Sequence, residues 1–145
     1  MALNPTHVVS DTHFHHVKIV LYEPMRLAWG EDAEKMTRAL VARWNEEIGP
    51  DDVVLHLGDF AMGLPTRWAP LRRELNGRLI LVRGNHDRDP ALVVGPGDKL
   101  YEESYDFRLP DGRSVRCRHD PAHFLPEDAE RFDLVFHGHT HSLPG

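Results

Sequence analysis

Four short apolar runs punctuate the chain, and each leads directly into small polar and ligand-type residues. Val8-Val9 precedes Ser10-Asp11-Thr12-His13, and Val53-Val54-Leu55-His56-Leu57 precedes Gly58-Asp59-Phe60. Leu79-Ile80-Leu81-Val82 precedes Gly84-Asn85-His86-Asp87, and Leu134-Val135-Phe136 precedes His137-Gly138-His139-Thr140-His141. An apolar run of this length predicts a strand buried on both faces. Between the runs the period changes. Ala33, Met36, Leu40, Trp44 and Ile48 recur at three- and four-residue steps and predict a helix over 32–48. Acidic Glu31, Asp32 and Glu34 suit its amino end, and Gly49-Pro50 stops it.

The same reading places strands at 3–9 (interrupted by Pro5), 53–57, 78–83 and 133–137, and helices near 66–75 and 121–131. His15 to Tyr22 fits a short helix or a strand. The Pro- and Gly-rich stretch 90–98 reads as loop. Pro110-Asp111-Gly112 between 104–109 and 113–118 predicts a β-hairpin, because Pro presets φ and Gly tolerates positive φ. Val115, Cys117 and His119 share parity on its second arm and should face one side. Strands alternating with helices predict α/β layers. The length of 145 residues predicts one domain spanning 1–145. The chain ends just after its last motif, so one or more further strands are expected to be missing.

Composition narrows the function classes. A hydrophobic content of 41% with 28% charged residues is that of an ordinary soluble domain. The formal net charge of −6 does not advertise a broad basic surface for a long polyanion. It leaves room for a small phosphorylated ligand or a short nucleic-acid segment. The single cysteine, Cys117, excludes an internal disulfide. No stretch is long and apolar enough to span a bilayer, and no secretory signal is visible. The expectation is a cytoplasmic protein.

Sites in open α/β sheets form beyond the carboxyl ends of the strands. Four strand ends bearing Asp, Asn and His would therefore converge, and the pattern predicts a metal centre holding two ions. Asp11-x-His13 sets a carboxylate and an imidazole on one side of a strand end. Asp59 adds a carboxylate able to bridge two cations, and Asn85 adds an amide oxygen. His137-x-His139 repeats the spacing with nitrogen, and His119 arrives on the hairpin arm. A mixed N and O donor set without thiolate suits Mn, Fe or catalytic Zn.

The order Asp-x-His, Gly-Asp, Gly-Asn-His-Asp, His, Gly-His-x-His resembles the calcineurin-like metallophosphoesterase superfamily. More narrowly, Ser10-Asp11-Thr12-His13-Phe14-x-His16, His56-Leu57-Gly58-Asp59-Phe60 and Arg83-Gly84-Asn85-His86-Asp87 are similar to small phosphoesterases of bacteria and phages. The resemblance runs from Ser10 to Ser142. It implies a four-layer α/β/β/α sandwich. It implies one metal held by Asp11, His13, Asp59 and His139, and a second held by Asp59, Asn85, His119 and His137. His86 matches the family's catalytic histidine, which Asp87 would orient. The chain departs from that pattern in three places. His15 stands where Gly is usual, Asp120 stands where an aromatic is common, and the closing strand after the last motif is absent.

His16, Arg83 and His141 are candidate substrate contacts, because an imidazole or guanidinium beside such a site can hold a phosphate. The expected activity is metal-dependent phosphoester hydrolysis with two ions, Mn first and Fe or Zn as alternatives. The stretch between His119 and His137 is short, which predicts an open site and favours phosphodiesters of cyclic-nucleotide or nucleic-acid-end type. Phosphomonoester hydrolysis is the second reading and a Mn-dependent nuclease the third. A metal-binding scaffold without catalysis is the reading of a different class. The expected partner is a small, nucleotide-like phosphorylated substrate rather than a membrane.

Overall fold

Two of the four apolar runs, Val53–His56 (β2) and Arg78–Val82 (β3), lie side by side at the middle of a parallel sheet. His7–Val9 (β1) and Lys99–Tyr101 (β4) flank them, in the order β1-β2-β3-β4. The computed structural model describes residues 4–15, 33–62, 64–85 and 87–138. Most of the element expected at 15–22 lies outside these residues, as do His16, His86, His139 and His141.

Two-sided burial holds for β2 and β3, where every residue but Arg78 is buried. It fails for β1 and for Leu134–His137 (β7), where Val8 is 42% and Val135 40% exposed. Among the described residues each of these strands is paired on one side alone. The first strand is also shorter than expected. It begins at His7, because Pro5 has no N–H to add to a ladder. Strand β4 escaped the sequence reading. Three residues, two of them polar or amphipathic, carry too little periodicity to register.

Alternation along β2 and β3 gives the sheet two apolar faces. Val54, Leu79 and Leu81 pack under Trp44 and Ile48 and under Trp68, Leu71 and Leu75. The first pair belongs to helix Ala33–Glu47 (α1) and its exit, and the other three to helix Trp68–Glu74 (α2) and its exit. Val53, Leu55, Ile80 and Val82 face the other way, onto Tyr105, Val115 and Cys117. Those residues belong to a second sheet built from Tyr105–Arg108 (β5), Ser114–Arg118 (β6) and β7. Strands β5 and β6 form the antiparallel hairpin read from Pro110-Asp111-Gly112, with Tyr105 opposite Cys117 and Phe107 opposite Val115. Strand β7 adds in parallel to β6.

Helix Pro126–Arg131 (α3) covers the outer face of this sheet. Arg116 donates to Asp128 at 2.9 Å and sits 4.4 Å over the ring of Phe132. The layers are therefore α/β/β/α. The helices expected near 66–75 and 121–131 each begin as a separate 3-10 turn, at Pro65–Arg67 and Pro121–His123. No helix among the described residues is long and apolar enough to cross a membrane.

Candidate metal centre

Parallel pairing puts the carboxyl ends of β1, β2 and β3 at one end of the first sheet, so their exit loops meet. The first two loops are zipped by backbone bonds. Asp11 N–H donates to Gly58 O at 2.9 Å, His13 N–H to Asp59 O at 3.0 Å, and Phe14 N–H to Phe60 O at 3.0 Å. Here the chain leaves the extended region. Asp11, His13, His15 and Asp59 all have positive φ, between 49° and 62°. Such backbone costs a non-glycine residue about 1–3 kcal/mol and persists only where its surroundings enforce it. Asp11 and His13 thus share a side through paired left-handed residues, not through strand parity.

The donor atoms converge in two groups that share one carboxylate. Buried Asp11, His13 and Asp59 each offer an atom within 4.8 Å of the others. His13 Nε2 lies 3.9 Å from Asp11 Oδ1 and 3.6 Å from Asp59 Oδ2. The same Asp59 Oδ2 lies 3.4 Å from His119 Nε2, which is 2.8 Å from Asn85 Oδ1. Ligands about 2.0–2.2 Å from one ion stand about 3–4 Å apart, and the Asp11–His13–Asp59 group comes near that spacing, so these three residues could hold a divalent cation. The donor chemistry fits too, being the buried carboxylates and imidazoles of Asp11, Asp59, His13 and His119 with the exposed Asn85 amide beside them and no thiolate.

His119 is aimed by its other nitrogen. Nδ1–H donates to Leu57 O at 2.7 Å, which presents Nε2 to Asp59 and Asn85. Burial lowers its pKa, but contact with the Asp59 carboxylate outweighs this, and the net shift is upward. Its parity with buried Val115 and Cys117 is the one read from the hairpin. Ser10 Oγ donates to Asp11 Oδ2, a contact that no spacing rule signals.

Asp87 joins the second and third loops. Its Oδ2 accepts from Asp59 N–H at 2.9 Å and Gly84 N–H at 2.8 Å, and its Oδ1 accepts from Phe60 N–H at 2.9 Å. Burial raises its pKa against the pull of these bonds. Gly84 is required by close approach, since a Cβ there would collide with Asp59 N and Oδ1. Gly138 plays the same part after β7. A Cβ would strike Ser10 Oγ and Asp11 Oδ2, so the exit of β7 lies against the Asp11 loop. Gly138 N–H also donates to His119 O at 3.0 Å. His137 ends β7, with its Nδ1 3.0 Å from Gly138 O.

Three residues singled out in the sequence have the following places. Arg83, a candidate substrate contact, lines the cavity beside Asn85 and His119 and also holds the third loop. Its Nε donates to Asp87 O at 2.8 Å, Nη2 to Arg88 O at 2.9 Å and Nη1 to Glu102 at 3.1 Å. Asp120, the departure where relatives often have an aromatic, accepts Ala122 N–H at 2.9 Å and caps the 3-10 turn. His15, at a glycine-like φ of 62°, is held by Thr37 Oγ1 on its N–H at 2.8 Å and faces Glu34 at 3.3 Å. Burial lowers its pKa.

A cavity of about 530 Å³ opens beside the Asn85–His119 pair. Its walls include Glu102, Glu103, Asp120 and His123 together with Arg83 and Arg118.

Residues 6–144 match the family model described as the calcineurin-like phosphoesterase superfamily domain. The chain is 34% identical over 146 residues to the uncharacterized protein MJ1445 of Methanocaldococcus jannaschii, covering 98% of this chain and 72% of that one. Among solved structures it is similar to the protein of unknown function AQ665 from Aquifex aeolicus. The TM-score is 0.68 at 25% identity, over 94% of this chain and 79% of that one. The nuclease MPE of Pseudomonas putida superposes with a TM-score of 0.49 at 23% identity, over 79% of this chain and 53% of that one. At that similarity it carries no argument about activity.

Proposed function

Since the chain belongs to the calcineurin-like phosphoesterase superfamily, we propose that it hydrolyses small phosphodiesters at a two-metal centre, with Mn as the first choice of ion. The observation that carries this reading is the meeting of two donor groups on one oxygen, Asp59 Oδ2, within 3.6 Å of both His13 and His119. Asp11 and His13 would complete one ion's protein ligands, and Asn85 and His119 the other's, with His137 and His139 as the further candidates. Bound there, the ions would supply Lewis-acid charge to the phosphoryl oxygens and lower the pKa of an attacking water.

The remaining steps belong to side chains. His86, between Asn85 and Asp87, would protonate the departing oxygen. The Asp87 and Arg83 contacts would fix its loop. The cavity beside Asn85 and His119 offers room for a leaving group, and its mixed wall bears on the charge of the substrate. Glu102, Glu103 and Asp120 share that wall with Arg83 and Arg118, so it offers cations for one phosphate charge while its carboxylates weigh against a second. A net charge of −6 likewise favours a compact ligand over a long strand.

The test is Mn-dependent hydrolysis of an aryl phosphodiester beside the matching monoester, with a metal-free control and the His86→Ala variant. Diester turnover that needs metal and is lost in His86→Ala while metal stays bound supports the reading. Monoester preference, or turnover unchanged in the variant, refutes the substrate or the proton donor respectively.

A further inference from the structure

His56 lies at the end of β2, fully buried beneath the first two loops, with its ring centroid 5.1 Å from that of Phe60. Both of its nitrogens meet protein atoms. Gly58 N–H donates to Nδ1 at 3.1 Å, so Nδ1 carries no proton. Nε2 lies 3.0 Å from Thr12 Oγ1, and Thr12 gives its one hydroxyl proton to Phe60 O at 2.8 Å. Thr12 Oγ1 can then only accept from His56, so the proton must be on Nε2. The two ends of the ring demand the same tautomer independently.

The resulting line of bonds runs from Gly58 N–H through the imidazole and Thr12 to Phe60 O. It crosses between the loop that carries Asp11 and His13 and the loop that carries Asp59. Those three residues hold left-handed backbone, which needs enforcement from outside the loops. Thr12 sits between two of them in sequence and Gly58 immediately before the third.

We propose that His56, as its Nε2–H tautomer, is a positioning residue that latches Thr12 to Gly58 and sets the affinity of the Asp11–His13–Asp59 group for a divalent cation. The part concerning cation affinity rests on the reading of that group as a metal centre, whereas the tautomer does not. Burial holds the ring in its neutral form.

The test uses the full chain with Mn(II) as the probe. His56→Phe keeps a ring against Phe60 and removes both bonds. Thr12→Val keeps the shape of Thr12 and removes the acceptor, while Thr12→Ser restores it. Supporting partners of a ligand group alter metal affinity by about 10–100-fold. Calorimetry should show Mn(II) binding weakened by that factor in His56→Phe and Thr12→Val, and parental in Thr12→Ser. The double variant should be no weaker than the worse single one, because one latch is lost only once. The imidazole 15N spectrum should show one bare nitrogen, Nδ1, and one protonated nitrogen, Nε2.

Parental Mn(II) affinity in a folded His56→Phe or Thr12→Val protein overturns the latch, and so does a proton on Nδ1. If His56→Phe does not fold, the Thr12 pair decides. A parent chain that binds no Mn(II) overturns the metal-centre reading instead, and the 15N spectrum still reports on the tautomer.

Discussion

Asp87→Asn separates two roles for the residue after His86. If Asp87 acts through His86, the substitution should slow turnover and leave the fold alone. The contacts foretell otherwise, because the carboxylate accepts three backbone N–H groups, from Asp59, Phe60 and Gly84. An amide of the same shape has one acceptor oxygen. Placed as Oδ2, it keeps two bonds, and its NH₂ then confronts the N–H of Phe60. Bonds to a charged acceptor contribute about 1.5–3 kcal/mol and neutral ones about 0.5–1.5, so the two survivors weaken by about 1 kcal/mol each. The orphaned donor adds about 1–3 kcal/mol, and removing a buried charge returns part of the total. The expected loss is about 3 kcal/mol, read as a lower urea midpoint at unchanged slope in the metal-free protein. Mn(II) affinity should fall with it, because the Asp59 loop loses its anchor. An Asp87→Asn protein with the parental midpoint and Mn(II) affinity, but slow turnover, would refute this reasoning and return Asp87 to the orienting role.

Three further outcomes follow from the same geometry. Gly84→Ala forces a methyl into Asp59 and should lower stability by about 1–3 kcal/mol in urea titration, with Mn(II) binding reduced beyond what unfolding explains. His56, ordinarily near 6.5, is lowered to about 3 by burial, so the unfolded chain takes up its proton first as pH falls. Stability is then complete above pH 6.5 and lost below it, by about 2 kcal/mol at pH 5 for this group, a slope that should be missing from His56→Phe. Arg72 grips buried Asp98 with two bonds of 2.8 and 2.9 Å and also caps Leu75 O and Gly77 O. Arg72→Met leaves that carboxylate only the N–H groups of Leu79 and Gly95 and should cost about 2–3 kcal/mol, a drop in Tm by calorimetry.

Features set by local period were legible in the sequence. Met36, Leu40 and Trp44 announce α1, the runs at 53–57 and 78–83 announce the central strands, and Pro110-Asp111-Gly112 announces the hairpin. Cys117 and His119 share a face because a strand alternates, whatever lies opposite. Features set by partners distant in sequence were not legible. The exposure of Val8 and Val135 depends on which strands lie beside them. Asp and His tolerate left-handed backbone better than most residues, but which of them adopt it at Asp11, His13 and Asp59 is decided by the neighbouring loops. Arg83 could equally meet a phosphate or a carbonyl, and only the fold decides that Asp87 O and Arg88 O are within its reach.

The tight seating of Gly84 against Asp59, and of Gly138 against Ser10 and Asp11, bears on how such a protein can diversify. Four exit loops touch in two pairs with no room for even a methyl group, so none can drift in sequence without disturbing its neighbour. Heritable change in what the protein acts on is thereby channelled away from the ligands. It falls to the wall of the cavity, to Glu102, Glu103, His123 and Leu125, where a new side chain meets solvent rather than a neighbouring loop. The chemistry stays fixed by crowding while its clientele is left open to selection.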